Sequence, residues 1–210
     1  MQTKGKIITS KRIIRILPNI LSSLFWICII FSFEEGSMAW ASIMSALIHE
    51  SGHILYLWVL GDKIRLRGVL SGFRLKPGAM LSYKEQMLLC ICGVFANIIA
   101  IIICIPTLLI IGDAPIIFII ANAVTAISNL LPIEGYDGYG FVYALLSSLD
   151  SKRWLFSLLA SISTMLIFSL CILSLYFIDR YGGGYWIFAL FFISMLKKVS
   201  SRLGNTKSEI

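Results

Sequence analysis

Long apolar runs separated by short basic or glycine-bearing connections organise the chain. Runs at about 16–33, 38–60, 86–111, 115–133 and 154–178 reach or approach the roughly 17–25 residues that a helix needs to cross hydrocarbon. A weaker sixth run, about 182–199, opens on Gly182-Gly183-Gly184. Between the second and third runs, Lys63-Ile64-Arg65-Leu66-Arg67 alternates polar and apolar residues at the period of a strand, and Gly68, Gly72, Pro77 and Gly78 supply turns. The pattern predicts an all-α polytopic membrane protein of about six transmembrane helices, with a small β-ribbon on the cytosolic side between helices two and three. Residues 1–210 read as a single integral membrane domain, with a core at about 40–150 and peripheral helices at 16–33, 154–178 and 182–199.

Composition sharpens this picture. The chain is 58% hydrophobic and only 14% charged, and its mean hydropathy of +0.89 exceeds what one soluble core of this size buries. A net charge of +7 raises the question of a nucleic-acid partner, and the positions of the 18 basic residues answer it. Lys4, Lys6, Lys11, Arg12 and Arg15 precede the first run. Lys63, Arg65, Arg67, Arg74, Lys76 and Lys84 follow the second, Lys152 and Arg153 follow the fourth, and Lys197, Lys198, Arg202 and Lys207 end the chain. Only Arg180 falls on the other face, whose loops carry Glu34, Glu35, Asp113 and Asp179. By the positive-inside rule the basic face and both termini are expected to be cytosolic, in the multi-pass arrangement of a bacterial cell membrane. The charge thus reports topology and excludes nucleic acid as the expected partner, leaving the lipid bilayer in that place. The basic start and Ala39-Trp40-Ala41 are expected to belong to spans and not to a cleaved leader, because Glu34-Glu35 intervene. The five cysteines all fall in predicted spans, where a thiol packs as a small apolar group, and Cys90-x-Cys92 has no second pair at metal-ligand spacing.

The candidate chemistry lies in the second run, where His49-Glu50-Ser51-Gly52-His53 forms an H-E-x-x-H pattern from the only two histidines in the chain. Residues four apart share a helix face, so both imidazoles can reach one metal ion, while Glu50 projects about 100° round the helix, beside the water that such a metal activates. Ionisable groups at mid-span cost about 2.5–3.5 kcal/mol each on insertion scales, and a shared cation offsets that cost. The alternative is a hydrogen-bonded polar cluster joining helices. A hydrolytic zinc site takes three protein ligands and keeps one position for water. Asp137, in the Gly135-Tyr136-Asp137-Gly138 turn after Pro132, is the best-placed third ligand, and Glu134 competes with it. Asp150, like Glu134 in its alternative role, reads as a solvated residue at the cytosolic rim.

These elements resemble those of the site-2 protease family of intramembrane zinc metalloproteases (peptidase family M50). His49-Glu50-Ser51-Gly52-His53 is similar to that family's zinc helix. Asn129-Leu130-Leu131-Pro132-Ile133-Glu134-Gly135-Tyr136-Asp137-Gly138 is similar to its N-x-x-P-x-x-x-x-D-G element, whose Asp is the third ligand. Gly93-Val94-Phe95-Ala96-Asn97 is similar to its G-P-x-x-N element, with Val94 where the family has proline. The resemblance covers about residues 40–150 and implies the compact sporulation-type branch, without a PDZ or CBS domain.

The implied function is zinc-dependent hydrolysis of a peptide bond near the cytosolic side, in a membrane-spanning or membrane-associated regulatory protein. One Zn²⁺ per chain is held by His49, His53 and Asp137, and Glu50 is the general base. Asn129 and Asn97 are candidates for orienting substrate or binding the oxyanion, with interhelical hydrogen bonding as the alternative for each. The 63–81 ribbon offers an edge on which an unwound substrate can pair, or else a basic surface for anionic lipid, and a regulatory membrane partner is a further expectation. The rival functions are a catalytically inactive membrane scaffold of the same architecture and a divalent-metal transporter. The transporter would carry further polar ligands along a path.

Overall fold

Helix boundaries in so apolar a chain fall where proline, glycine or a polar cap interrupts the run. The computed structural model describes residues 28, 32, 36–61, 65–69, 72–76, 80–113, 115–181, 188, 191–192 and 194–196. Helix α1 (Gly36–Val59) is followed by strands β1 (Arg65–Val69) and β2 (Gly72–Lys76), then by α2 (Tyr83–Cys104). Pro106 sits in a 3₁₀ turn (Ile105–Thr107) that passes into a helical turn, Leu108–Ile111. Helices α3 (Ile116–Leu130), α4 (Asp137–Ser148) and α5 (Arg153–Tyr181) complete the order. The strands pair antiparallel, with Arg65 opposite Lys76 and Val69 opposite Gly72.

Two helical stretches, Tyr83–Ile111 and Arg153–Arg180, are long and apolar enough to cross a membrane, at 29 and 28 residues. They match the predicted runs 86–111 and 154–178. Helix α1 covers the 38–60 run with 24 residues, about 36 Å at 1.5 Å per residue, but its His49-to-His53 stretch dilutes its apolar character. The 115–133 run yields only the 15 residues of α3. Leu131 turns to an extended conformation (φ −65°, ψ 139°) ahead of Pro132, as a residue before proline is driven to do. The runs 16–33 and 182–199 lie almost wholly outside the described residues, as do the basic termini.

Helix α2 is the hub, packing against α1, α3 and α4, while α1 also packs on α3 and α4 on α5. Its start is fixed by a capping box: Ser82 N–H donates to Glu85 Oε2 (2.7 Å), and Glu85 N–H donates to Ser82 Oγ (3.4 Å). The interior of this bundle is small and polar. Ala39, Ala41, Ala121, Ala126 and Ala144 are buried together with Ser45, Asn97 and Asn122, so backbones approach closely and hydrogen bonds link the helices. Beside it, Ile133 in the α3–α4 connection packs with Ile167, Cys171 and Phe191 in a separate apolar cluster.

Candidate metal centre

The two histidines of the H-E-x-x-H segment lie on the inner face of α1, where both are buried. Asp137 reaches them from the first turn of α4. The chain folds back after α3 through bonds from Ile133 N–H to Leu131 O (2.8 Å) and from Tyr136 N–H to Ile133 O (2.9 Å). Gly135 takes φ +105° in this turn, a conformation that favours glycine. Gly138 completes it: a Cβ there would run into the carbonyl oxygen of Leu130 and lie 2.7 Å from that of Leu131. The connection is held from outside by α5, whose Ser163 Oγ accepts from Glu134 N–H at 2.8 Å.

His49 Nε2, His53 Nε2 and Asp137 Oδ2 form a nearly equilateral triangle. Asp137 Oδ2 lies 3.0 Å from His49 Nε2 and 3.2 Å from His53 Nε2, and the two nitrogens are 3.2 Å apart. Metal–ligand bonds of about 2.0–2.1 Å in a tetrahedral site give ligand–ligand edges of roughly 3.3–3.4 Å, so the triangle is close to the size a zinc-like ion requires.

The far sides of the rings identify which atoms face inward. His53 Nδ1 lies 2.8 Å from Leu89 O, a backbone carbonyl that can only accept, so a proton sits on Nδ1, and in the neutral ring the Nε2 lone pair faces inward. His49 Nδ1 donates to Asn97 Oδ1 at 2.9 Å. With both rings neutral, two lone pairs and a carboxylate oxygen converge, and Asp137 Oδ2 is buried with no partner beyond these two nitrogens. Leaving such an acceptor unsatisfied costs about 1–3 kcal/mol, more if it is charged, and a cation removes that cost. Among the described residues, His49, His53 and Asp137 are a group that could hold a metal ion. The site is open on the Asp137 side, whose side chain is 21% exposed against 6% for His49 and 9% for His53.

Gly93 shapes the cavity. A Cβ at this position would lie 2.6 Å from His49 Cε1 and from His53 Nε2, so only glycine leaves room for both rings. Gly52, between the two histidines, would likewise drive a Cβ into Cys92 O, which explains how closely α1 and α2 cross.

The other sequence candidates separate clearly. Glu50, next to His49 on α1, is partly exposed and acts electrostatically on His53. Glu134 is exposed and outside the donor group, so Asp137 supplies the third donor, and Asp150 is exposed at the end of α4. Asn97 is fully buried: its Nδ2 donates to Ser45 O (3.0 Å) and Asn122 Oδ1 (2.8 Å), and its Oδ1 accepts from His49. It thus has the interhelical role, holding a histidine, with no atom free for an oxyanion. Asn129 Nδ2 donates to Thr125 O on its own helix at 2.9 Å. Cys90 and Cys92 are free thiols outside the group.

Sequence reading alone missed Asn122 and the role of Gly93. The available signals were an amide in the middle of the apolar run 115–133 and a glycine in mid-helix, a position where it usually marks close approach. No protein-family model matches the chain, and no curated protein matches it.

Proposed function

We propose that the chain is a zinc-dependent peptidase that works within the membrane, cutting membrane-spanning or membrane-associated regulatory proteins near the cytosolic side. The observation that carries this reading is the convergence of His49 Nε2, His53 Nε2 and the orphaned Asp137 Oδ2, with a carboxylate, Glu50, one residue from the first ligand. Two imidazoles and one carboxylate are a hydrolytic ligand set for zinc, a metal that suits imidazole donors.

Zinc, when bound, supplies a Lewis acid that polarises a carbonyl and acidifies water. Glu50 takes the proton from the attacking water and returns it to the leaving amine, so the peptide C–N bond breaks with acid and amine as products. Asp137 marks the more open side, the route for water and for the substrate backbone. A helical substrate must unwind to present its carbonyl, because helical hydrogen bonds occupy that oxygen. The β1–β2 ribbon offers an edge for the unwound strand.

Large apolar side chains on the outside of the helices, including Ile103, Leu109, Ile110, Met165 and Ile172, support a lipid-facing surface, and the distribution of Lys and Arg supports cytosolic termini. We take the host to be a bacterial cell membrane. The test is Glu50→Gln assayed in proteoliposomes against a panel of single-span regulatory proteins. Cleavage is expected to disappear while zinc stays bound, and cleavage at the wild-type rate would contradict the assignment.

A further inference from the structure

The polar interior of the bundle has a direction. Asn122 on α3 donates from Nδ2 to the backbone carbonyl of Phe118 at 2.9 Å. A carbonyl can only accept, so this bond turns Asn122 Oδ1 toward α2, where it accepts from Asn97 Nδ2 at 2.8 Å. The second Nδ2 hydrogen of Asn97 goes to Ser45 O on α1 at 3.0 Å, which spends both donors of that amide. Asn97 Oδ1 is then left facing His49, and it accepts the proton on Nδ1 at 2.9 Å. Reversing any member sets donor against donor or acceptor against acceptor between side chains closed to bulk solvent: Asn97 and Asn122 are both 0% exposed. His53 needs no such relay, because its Nδ1 meets the Leu89 carbonyl directly.

We infer that Asn122 is a positioning residue for the metal centre, which through Asn97 fixes the His49 proton on Nδ1 and so keeps His49 Nε2 free to ligate. The Phe118 carbonyl is the fixed end of the relay and the Nε2 lone pair is its output. Partners behind a metal-bound histidine set its tautomer and ring orientation, and their loss weakens metal affinity by about 10- to 100-fold. Ser45 and Thr125 brace the same crossing: Ser45 Oγ donates to Thr125 Oγ1 at 2.6 Å, and Thr125 Oγ1 donates to Ala121 O at 2.9 Å. The inference rests on the metal-site part of the proposed function, and its main readout needs neither metal nor substrate.

With only two histidines in the chain, nitrogen NMR of the full-length protein labelled with [¹⁵N]histidine resolves both rings separately. In metal-free wild-type protein, kept where both rings are neutral, each ring is expected to carry its proton on Nδ1. Asn122→Leu is expected to move one ring, His49, toward a mixture with the proton on Nε2. His53 keeps its signature, so the same sample reports whether the α1–α2 packing survives. Zinc affinity, measured by chelator competition, should fall about tenfold or more.

Asn122→Asp is the conservative rescue. A buried, neutral carboxyl can donate to Phe118 O and accept from Asn97, so the wild-type tautomer and an affinity within about threefold of wild type are expected. If Asn122→Leu also loses the His53 signature, the Asp variant decides alone. An unchanged His49 tautomer in a folded Asn122→Leu protein, or a lost one in Asn122→Asp, overturns the inference. Failure of peptide cleavage with the tautomer pattern as expected would count against the peptidase assignment alone.

Discussion

Gly93→Ala places one methyl group in the floor of the donor triangle. The added Cβ would lie 2.6 Å from His49 Cε1, 2.6 Å from His53 Nε2 and 2.7 Å from His53 Cε1, whereas non-bonded carbons rest at about 3.5–4.0 Å. A gap of roughly 1 Å must open, either by rotating both rings off Asn97 and Leu89 or by spreading α1 from α2. Overpacking of this kind costs about 1–3 kcal/mol. Spreading would give up the close α1–α2 packing that Gly52 permits against the Cys92 carbonyl, so the rings are expected to move. Metal ligands tolerate displacements of only about 0.2 Å. Zinc affinity of Gly93→Ala is therefore expected to fall by at least about 100-fold, roughly 2.8 kcal/mol, with helical content retained. Chelator competition and circular dichroism on the purified variant measure the two quantities. Gly36→Ala is the control, since nothing lies within 4 Å of its added Cβ. Wild-type zinc affinity in Gly93→Ala would refute the placement of both rings.

Gly138→Ala tests the fold-back that delivers Asp137. Its Cβ meets backbone carbonyls of Leu130 and Leu131, which give way less readily than side chains, so zinc affinity and thermal midpoint should both fall; full retention of both would show that the α3–α4 turn is not the constraint described. Ser163→Ala removes the acceptor for Glu134 N–H. A loss of about 1 kcal/mol is expected as a lower thermal midpoint, and an unchanged midpoint would mean that α5 does not anchor the loop.

The candidate donors His49 and His53 are legible in the sequence because their pattern is local. His49, Glu50 and His53 share one helix, and the i, i+4 spacing alone puts two imidazoles on one face. Asp137 is legible through the Pro132 break, the Gly-Tyr-Asp-Gly turn and the N-x-x-P-x-x-x-x-D-G resemblance, which favour it over Glu134, and the structure brings Asp137 alone of the two into the donor group. Helix α4 leaves no signal of that kind: its 12 residues are too few to span a bilayer and follow a turn signal, so a search for long apolar runs passes over them. Helix α3 is shorter than the apolar run 115–133 because apolar residues continue through Leu131 and Ile133 while Pro132 redirects the backbone. Asn122 and Gly93 act through contacts between helices distant in sequence, and no periodicity within one helix encodes which residue lies opposite. The capping box at Ser82 and Glu85 stands in the sequence as S-x-x-E, at the end of the polar connection between the second and third apolar runs.

Metal content decides whether His49, His53 and Asp137 hold one zinc ion. Full-length wild-type protein, purified without chelators, is compared by inductively coupled plasma mass spectrometry with Asp137→Asn. About one zinc per chain in the wild type, in keeping with a single three-ligand site, and a clear loss in the variant are expected. A wild type without zinc, or an Asp137→Asn protein that keeps its full complement, would contradict the account.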